Sequence, residues 1–230
     1  MIQPLLKQVQ FRQNKEQTQA GFTLVELLVA IVIIGILGAI AVPGWLGFVN
    51  QRRVNLTNDF IYQSLKKAQT NAKTDKVEYS VSFRMSDNNI PEVAVHPASL
   101  DPTDTEDEDD LDNYWNVGNL GQQLDLQPGQ VILQTNLEEG EVNKGVENGN
   151  LTTIEGEETV YTLTFDHLGV LAGQEPDDNL YLVAAAPRND DVTEPQTSTM
   201  RCVSVKTILG ALETGTGQEE CTPPDEENNP

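Results

Sequence analysis

From Phe22 to Val49 the chain reads FTLVELLVAIVIIGILGAIAVPGWLGFV, a run in which Glu26 is the only ionisable residue. A helix of that length crosses a hydrocarbon core of ~30 Å. No other stretch limits the fold as strongly. A carboxylate near the middle of such a helix costs roughly 2.5–3.5 kcal/mol in lipid. Glu26, fifth from Phe22, lies instead near the start of the run. There an interface is within reach and the positive end of the helix dipole favours an anion. Gly35, Gly38, Pro43, Gly44 and Gly47 punctuate the second half. Pro43 removes a backbone donor and clashes one turn back, which predicts a kink or a loosened helix around Gly38 and Pro43. Gly35 and Ala39 are four apart, a small-residue pair that permits close helix approach.

The segment before the run, residues 1–21, is polar and weakly basic: Lys7, Arg12 and Lys15 stand against Glu16. It has no apolar stretch of its own. A secretory signal is cut after its apolar region; here the small residues Ala20 and Gly21 precede it. Cleavage at Gly21 leaves the apolar helix on the mature chain. The leader's cations place it inside, although Arg52 and Arg53 flank the other end. The leader and the cysteine pair together favour an N-inside, C-outside orientation.

Residues 50–76 read as an amphipathic helix. Val54, Ile61, Leu65, Ala68 and Ala72 recur at helical spacing, with Lys66, Lys67 and Lys73 elsewhere. The simplest expectation is one long helix, apolar all round in residues 22–49 and striped in residues 50–76. Beyond Lys76 the chain is β-rich. VEYSVSFRM alternates, with Val77, Tyr79, Val81, Phe83 and Met85 on one face and Glu78, Ser80, Ser82 and Arg84 on the other. EVAVH, QVILQT, TVYTLTF, LYLVAAA and RCVSVKTI read as further short strands, separated by Gly, Pro, Asn and Asp. The predicted fold class is α+β: a long helix packed on an antiparallel β-rich head over residues 77–221. The acidic run 101–113 reads as a solvated loop and residues 222–230 as a disordered tail.

The net charge of −22 repels phosphate backbones, so binding to nucleic acid or to an anionic surface is not expected. Two cysteines, Cys202 and Cys221, read as one disulfide in a chain that leaves the cytoplasm, worth about 3 kcal/mol; two free thiols are the alternative. No third Cys or nearby His completes a zinc set. His96, before Pro97, reads as a loop residue and His167 as a turn residue, with no catalytic arrangement around either. The residues show no phosphate loop or dinucleotide fingerprint, and neither an enzymatic role nor a cofactor is expected. The run 101–113 has oxygen ligands for Ca²⁺ but lacks the glycine of an EF-hand loop, so a plain loop is the expectation. Asn55-Leu56-Thr57 and Asn150-Leu151-Thr152 match a short glycosylation pattern that is frequent by chance.

The stretch AGFTLVE followed by the apolar run resembles the class III signal of type IV pilins and type II secretion pseudopilins. Gly21 stands at the cleavage point, Phe22 follows, Glu26 is the fifth mature residue, and Pro43 falls where pilins often carry a helix-loosening proline. The resemblance covers at most the first third of the chain. It implies that a prepilin peptidase cuts between Gly21 and Phe22 and methylates the new amine on Phe22. It also implies a bitopic inner-membrane protein with an extracytoplasmic head, whose partners are that peptidase, other pilins or pseudopilins and an inner-membrane assembly platform. Glu26, four residues from the new amine, is then the expected register mark between neighbouring subunits; a capping role alone is the plainer alternative.

TFDHLGVL, LYLVAAAPRN and RCVSVKTILGALETG look like the closing part of H-type minor pseudopilins, the GspH/FimT-like group, through Phe165, Asp166, Gly169, Arg201 and Gly210. The group's DNA-uptake members carry a basic patch near the last hairpin. Here that stretch holds Glu213, Glu219 and Glu220, a departure that speaks against DNA binding. A charge near −24 per mature copy disfavours a bulk subunit repeated thousands of times. The expectation is a minor pilin-like subunit of a secretion pseudopilus or a pilus. The alternatives are a minor pilin for DNA uptake or adhesion and a signal-anchored periplasmic enzyme or binding protein that never assembles.

Overall fold

The computed structural model describes residues 21–100, 114–115, 118–146, 150–173, 179–188, 193–206 and 209–223. The leader 1–20, the acidic run 101–113 and the tail from 224 lie outside the described residues. The chain divides into two compact units, Met1–Trp45 and Leu46–Pro230. One helix, α1 (Leu24–Asp75), supplies elements to both. Its helical backbone continues without a break through Gly38 and Pro43, so the loosening expected there does not take the form of an interruption.

In the first unit the described residues are almost all exposed, and they are apolar. Phe22 is 82% and Leu24 80% exposed. A helix that is apolar all round has no solvent face, so it needs an apolar surrounding that the described residues do not supply.

In the second unit α1 buries its stripe. Val54, Ile61, Leu65, Ala68 and Ala72 are all fully buried, because spacings of three, four and seven return to one helix face. α1 ends with Lys76 in the left-handed region (φ 62°), where its N–H is bonded to the Ala72 carbonyl at 3.0 Å. The strands are β1 (Tyr79–Met85), β2 (Pro91–Pro97), β3 (Ile132–Thr135), β4 (Thr152–Thr153), β5 (Tyr161–Phe165), β6 (Leu180–Ala185), β7 (Arg201–Val205) and β8 (Leu212–Thr216). They form two antiparallel sheets, ordered β2-β1-β5 and β4-β3-β6-β7-β8. Two short helices, α2 (Leu120–Leu124) and α3 (Gly217–Cys221), complete the described elements together with a 3₁₀ turn at Thr197–Thr199.

The α1 stripe shares one core with alternate residues of both sheets: Val81 and Phe83 of β1, Leu163 and Phe165 of β5, Leu182 of β6 and Val203 of β7. The apolar run LYLVAA forms the central strand β6, buried on both faces, which is why it does not alternate. Its second face packs Tyr181, Val183 and Ala185 against Met200, Cys202 and Cys221.

Two expectations need correction. β1 begins at Tyr79, and Val77 is half exposed as the chain leaves α1. The Ser80–Ser82 face of β1 is covered by protein. Ser80 and Ser82 are buried, and His96, expected in a loop, is a buried residue of β2. Trp115, with Ala94 and Val160, forms a small apolar cluster on that face, and the Arg84 guanidinium lies 4.2 Å from the Trp115 ring centre.

Candidate functional site

The candidate site is the start of α1. A Cβ added at Gly21 would meet nothing within 4 Å, and Phe22 is exposed. Thr23 precedes the first helical residue, and its Oγ1 accepts the Glu26 backbone N–H at 3.2 Å. The Thr23 carbonyl accepts from Leu27 at 3.2 Å. Thr23 is thus the N-cap, and Glu26 stands at the third helical position, as in the Ser/Thr-x-x-Glu pattern of helix starts. The Glu26 carboxylate is exposed and has no ion pair among the described residues. The cap uses the backbone of Glu26, so its side chain is free for another purpose.

The glycines of this segment point the same way. A Cβ added at Gly35, Gly38, Gly44 or Gly47 would meet nothing within 4 Å. Glycine inside a helix costs about 0.5–1 kcal/mol relative to alanine, and no close approach within the described chain requires it. Packing among the described residues does not account for these glycines.

The sequence comparison agrees with this geometry. The family described as the prokaryotic N-terminal methylation motif matches residues 17–42. Neither the curated proteins nor the solved structures yield a match. The motif supports a pilin-like subunit processed by a prepilin peptidase and assembling with other pilins. Together with the one helix long and apolar enough to cross a membrane, it is consistent with a membrane-anchored single-pass protein.

The other residues singled out from sequence fall in several places. Cys202 of β7 and Cys221 of α3 are joined in a disulfide, with Cα atoms 5.4 Å apart. Asp166 starts a tight turn after β5: its Oδ1 accepts from the N–H groups of Leu168 (2.8 Å) and Val170 (3.1 Å). Gly169 takes the positive φ (77°) that this turn needs. Arg201 opens β7, and Gly210 (φ 69°) lies between β7 and β8. Gly169 and Gly210 are brought together by α1: Gln69 Nε2 donates to the carbonyls of both, at 3.3 and 2.6 Å. Gln69 carried no signal of its own in the sequence.

His167 is exposed in the turn after Asp166. His96 Nδ1 lies 3.0 Å from the Pro97 carbonyl, and Nε2 lies 2.9 Å from Ser82 Oγ. A carbonyl only accepts, so in the neutral ring Nδ1 donates and Nε2 accepts the Ser82 hydroxyl proton. Ser82 Oγ also contacts Thr162 Oγ1 at 2.9 Å. Ser82 is wholly buried and His96 only 1% exposed, so this serine–histidine pair is closed to a substrate and acts as a structural bond between strands. Thr57 of the first sequon-like triplet is fully buried within α1, whereas Asn150 and Thr152 of the second are exposed. Among the described residues no group of three or more His, Cys, Asp or Glu is placed to hold a metal ion. The run considered for calcium lies outside them.

Proposed function

We propose that this chain is a non-enzymatic structural subunit of a pilin-like filament, made as an inner-membrane precursor with its head outside the cytoplasm. A prepilin peptidase cuts between Gly21 and Phe22 and methylates Phe22. The mature chain then leaves the bilayer and enters the filament by way of an inner-membrane assembly platform. The filament is a type II secretion pseudopilus or a type IV pilus, and the subunit takes a minor, H-type position in it.

The observation that carries this reading is an exposed apolar helix whose first turn holds one free carboxylate, Glu26, four residues from Phe22. Moving that helix from lipid into a bundle of like helices keeps its side chains away from water. An unpaired carboxylate in such a bundle is heavily penalised. The amine that cleavage creates on a neighbour's Phe22 relieves the penalty in one register only. The H-type position draws support from the convergence of Gly169 and Gly210 on Gln69, which places the two glycine-marked turns of that resemblance side by side.

Mass spectrometry of the protein recovered from its own cell envelope tests the processing step. The expected N-terminus is Phe22 carrying one added methyl group; an intact Met1 overturns the reading. Glu26→Ala tests the register role. The expected result is normal cleavage with loss of incorporation into the filament fraction.

A further inference from the structure

Phe60, Ser64 and Lys67 follow one another at spacings of four and three, so they share one face of α1. Together with Val93 and Val95 of β2 and with Tyr114, they line a groove of about 530 Å³. β2 is an edge strand that pairs with β1 alone. A space of this size falls within the range of small-molecule sites, and a mostly apolar lining with a few polar groups is their usual make-up. Bonds within the chain hold the lining in place. The Tyr114 ring meets the His96 ring edge-on, with centroids 6.3 Å apart. Beside Gly118, which also lines the groove, Asn119 Nδ2 donates to Glu92 at 2.6 Å. The Asn119 side chain also accepts the Gln122 N–H at 3.2 Å at the start of α2.

Two polar groups distinguish this groove from a gap in packing. Ser64 is 7% exposed, and among the described residues its hydroxyl makes no hydrogen bond. Thr70 and Thr74, farther along the same helix, bond the carbonyl four residues back; Ser64 does not, which leaves its hydroxyl for the groove. A buried hydroxyl without a partner is costly until one arrives. Lys67 is the second group. Its neighbour Lys66 donates to Gln69 Oε1 at 3.3 Å and lies 5.8 Å from the Tyr62 ring centre. Lys67 has neither a hydrogen bond nor an ion pair among the described residues. In a chain of net charge −22, no residue lining the groove is acidic. The groove thus offers one cation and an unused hydroxyl beside an apolar surface.

We propose that this groove binds a small aromatic carboxylate, with its ring against Phe60, Val95 and Tyr114 and its carboxylate on the Lys67 ammonium and the Ser64 hydroxyl. Residues three apart on a helix have Cβ atoms ~5–6 Å apart, so both groups reach one carboxylate. A charge-assisted bond from Lys67 and a neutral bond from Ser64 match a single negative charge. A phosphate, with twice the charge, would leave half of it unanswered. A cationic ligand would meet Lys67 and no acid. Two of the apolar lining side chains are aromatic, and ring pairs gain more than the area they bury, which favours an aromatic body over an alkyl one. The whole lining belongs to the unit Leu46–Pro230, so the site stands whether or not the chain enters a filament.

The test uses the full chain in zwitterionic detergent and 4-benzoylbenzoate as the probe, an aromatic carboxylate that inserts into nearby C–H bonds on irradiation. Mass spectrometry of the digested protein locates the label. The expected result is saturable labelling of the peptides that carry Phe60, Val93–Val95 and Tyr114. With the probe well below saturation, Lys67→Gln reduces that labelling roughly tenfold, and Ser64→Ala reduces it several-fold. Arg52→Gln makes the same change of net charge away from the groove and leaves the labelling as it was. The neutral amide of the probe labels the wild type and Lys67→Gln alike, and more weakly than the acid labels the wild type. Lys67 is exposed, so Lys67→Gln keeps the wild-type thermal midpoint, and Ser64→Ala supplies a second, independent reading. Labelling that does not saturate, or that is confined to residues 22–49, assigns the probe to the detergent and overturns the proposal. So does equal labelling of the wild type by acid and amide, or an equal effect of Lys67→Gln and Arg52→Gln.

Discussion

Gln69 donates its side-chain amide to the carbonyl of Gly210, 141 residues later, at 2.6 Å, and the same nitrogen lies 3.3 Å from the Gly169 carbonyl. Its other end accepts from Lys66, which fixes the amide's orientation because only the NH₂ end can serve two carbonyls. The residue is buried. Gln69→Ala therefore leaves two turn carbonyls short of a donor and is expected to cost about 1–3 kcal/mol. Gln69→Glu costs more, since an acceptor-only group then faces two acceptors. Urea midpoints of the three proteins rank them; a Glu variant as stable as the wild type would remove Gln69 from this role.

The long helix was the most legible element because its five stripe residues keep helical spacing, and all five are fully buried. The six strands expected from alternation or apolar runs are present, with ends shifted by a few residues. β8 left little trace, since Leu212-Glu213-Thr214-Gly215-Thr216 has one apolar residue and no alternation to detect. The alternation in β1 did not announce that its Ser80–Ser82 face is buried, and the reason is non-local. Trp115 and Asn119, beyond the acidic run, lie over it: Asn119 Nδ2 donates to Glu92 at 2.6 Å and Arg84 stacks on Trp115. A local pattern cannot announce a cover that arrives about thirty residues after β1, and His96 was misplaced with it. The motif at the start of α1 was legible because its residues, Gly21 to Glu26, are adjacent in the sequence, although the helix begins at Leu24 and not at Phe22.

That cover depends on Gly118. A Cβ there would stand 1.7 Å from the Val93 carbonyl oxygen, a backbone atom of β2. Gly118→Ala must lift the segment from the strand, and a cost of about 1–3 kcal/mol is expected, as for overpacking elsewhere. Trp115 is buried, so its emission moves to longer wavelength and becomes accessible to a soluble quencher. Unchanged emission from Trp115 would show that the segment tolerates the methyl group in place.

Tyr161 carries a pH response. Burial pushes its hydroxyl pKa above the usual 10.0, and the negative charges of Glu139 and Glu155 push it the same way. The unfolded chain then loses this proton at lower pH than the folded one. The contribution to stability is complete below pH 10 and is lost as pH rises through the folded value. Tyr161→Phe should flatten the alkaline fall in stability, measured as thermal midpoints from pH 8 to 11. Ultraviolet titration of the wild type should show a tyrosine ionising later than free tyrosine.

The disulfide ties α3 to β7 across a sequence separation of 19. Closing a loop of that size restricts the unfolded chain by about 3 kcal/mol. Cys202→Ser with Cys221→Ser should lower stability by about that amount, and added reductant should then have no further effect. A wild-type protein whose melting is indifferent to reductant would contradict this.

The first turn of α1 separates two roles that share Glu26. The cap bond runs from the Glu26 backbone N–H to Thr23 Oγ1, so it survives any change to the Glu26 side chain. Thr23→Val removes the acceptor and should cost roughly 1 kcal/mol of local helix stability. Hydrogen exchange at the Glu26 amide should quicken several-fold, with global unfolding unchanged. Glu26→Gln keeps the cap and should leave that amide's exchange nearly as it was, while removing the charge that pairs with a neighbour's amine. If Glu26 acts through its charge, Gln lowers filament incorporation without touching first-turn protection. If Glu26 serves only the helix start, incorporation and protection fall together or not at all. Measuring both on the same two variants decides between a cap and a register mark.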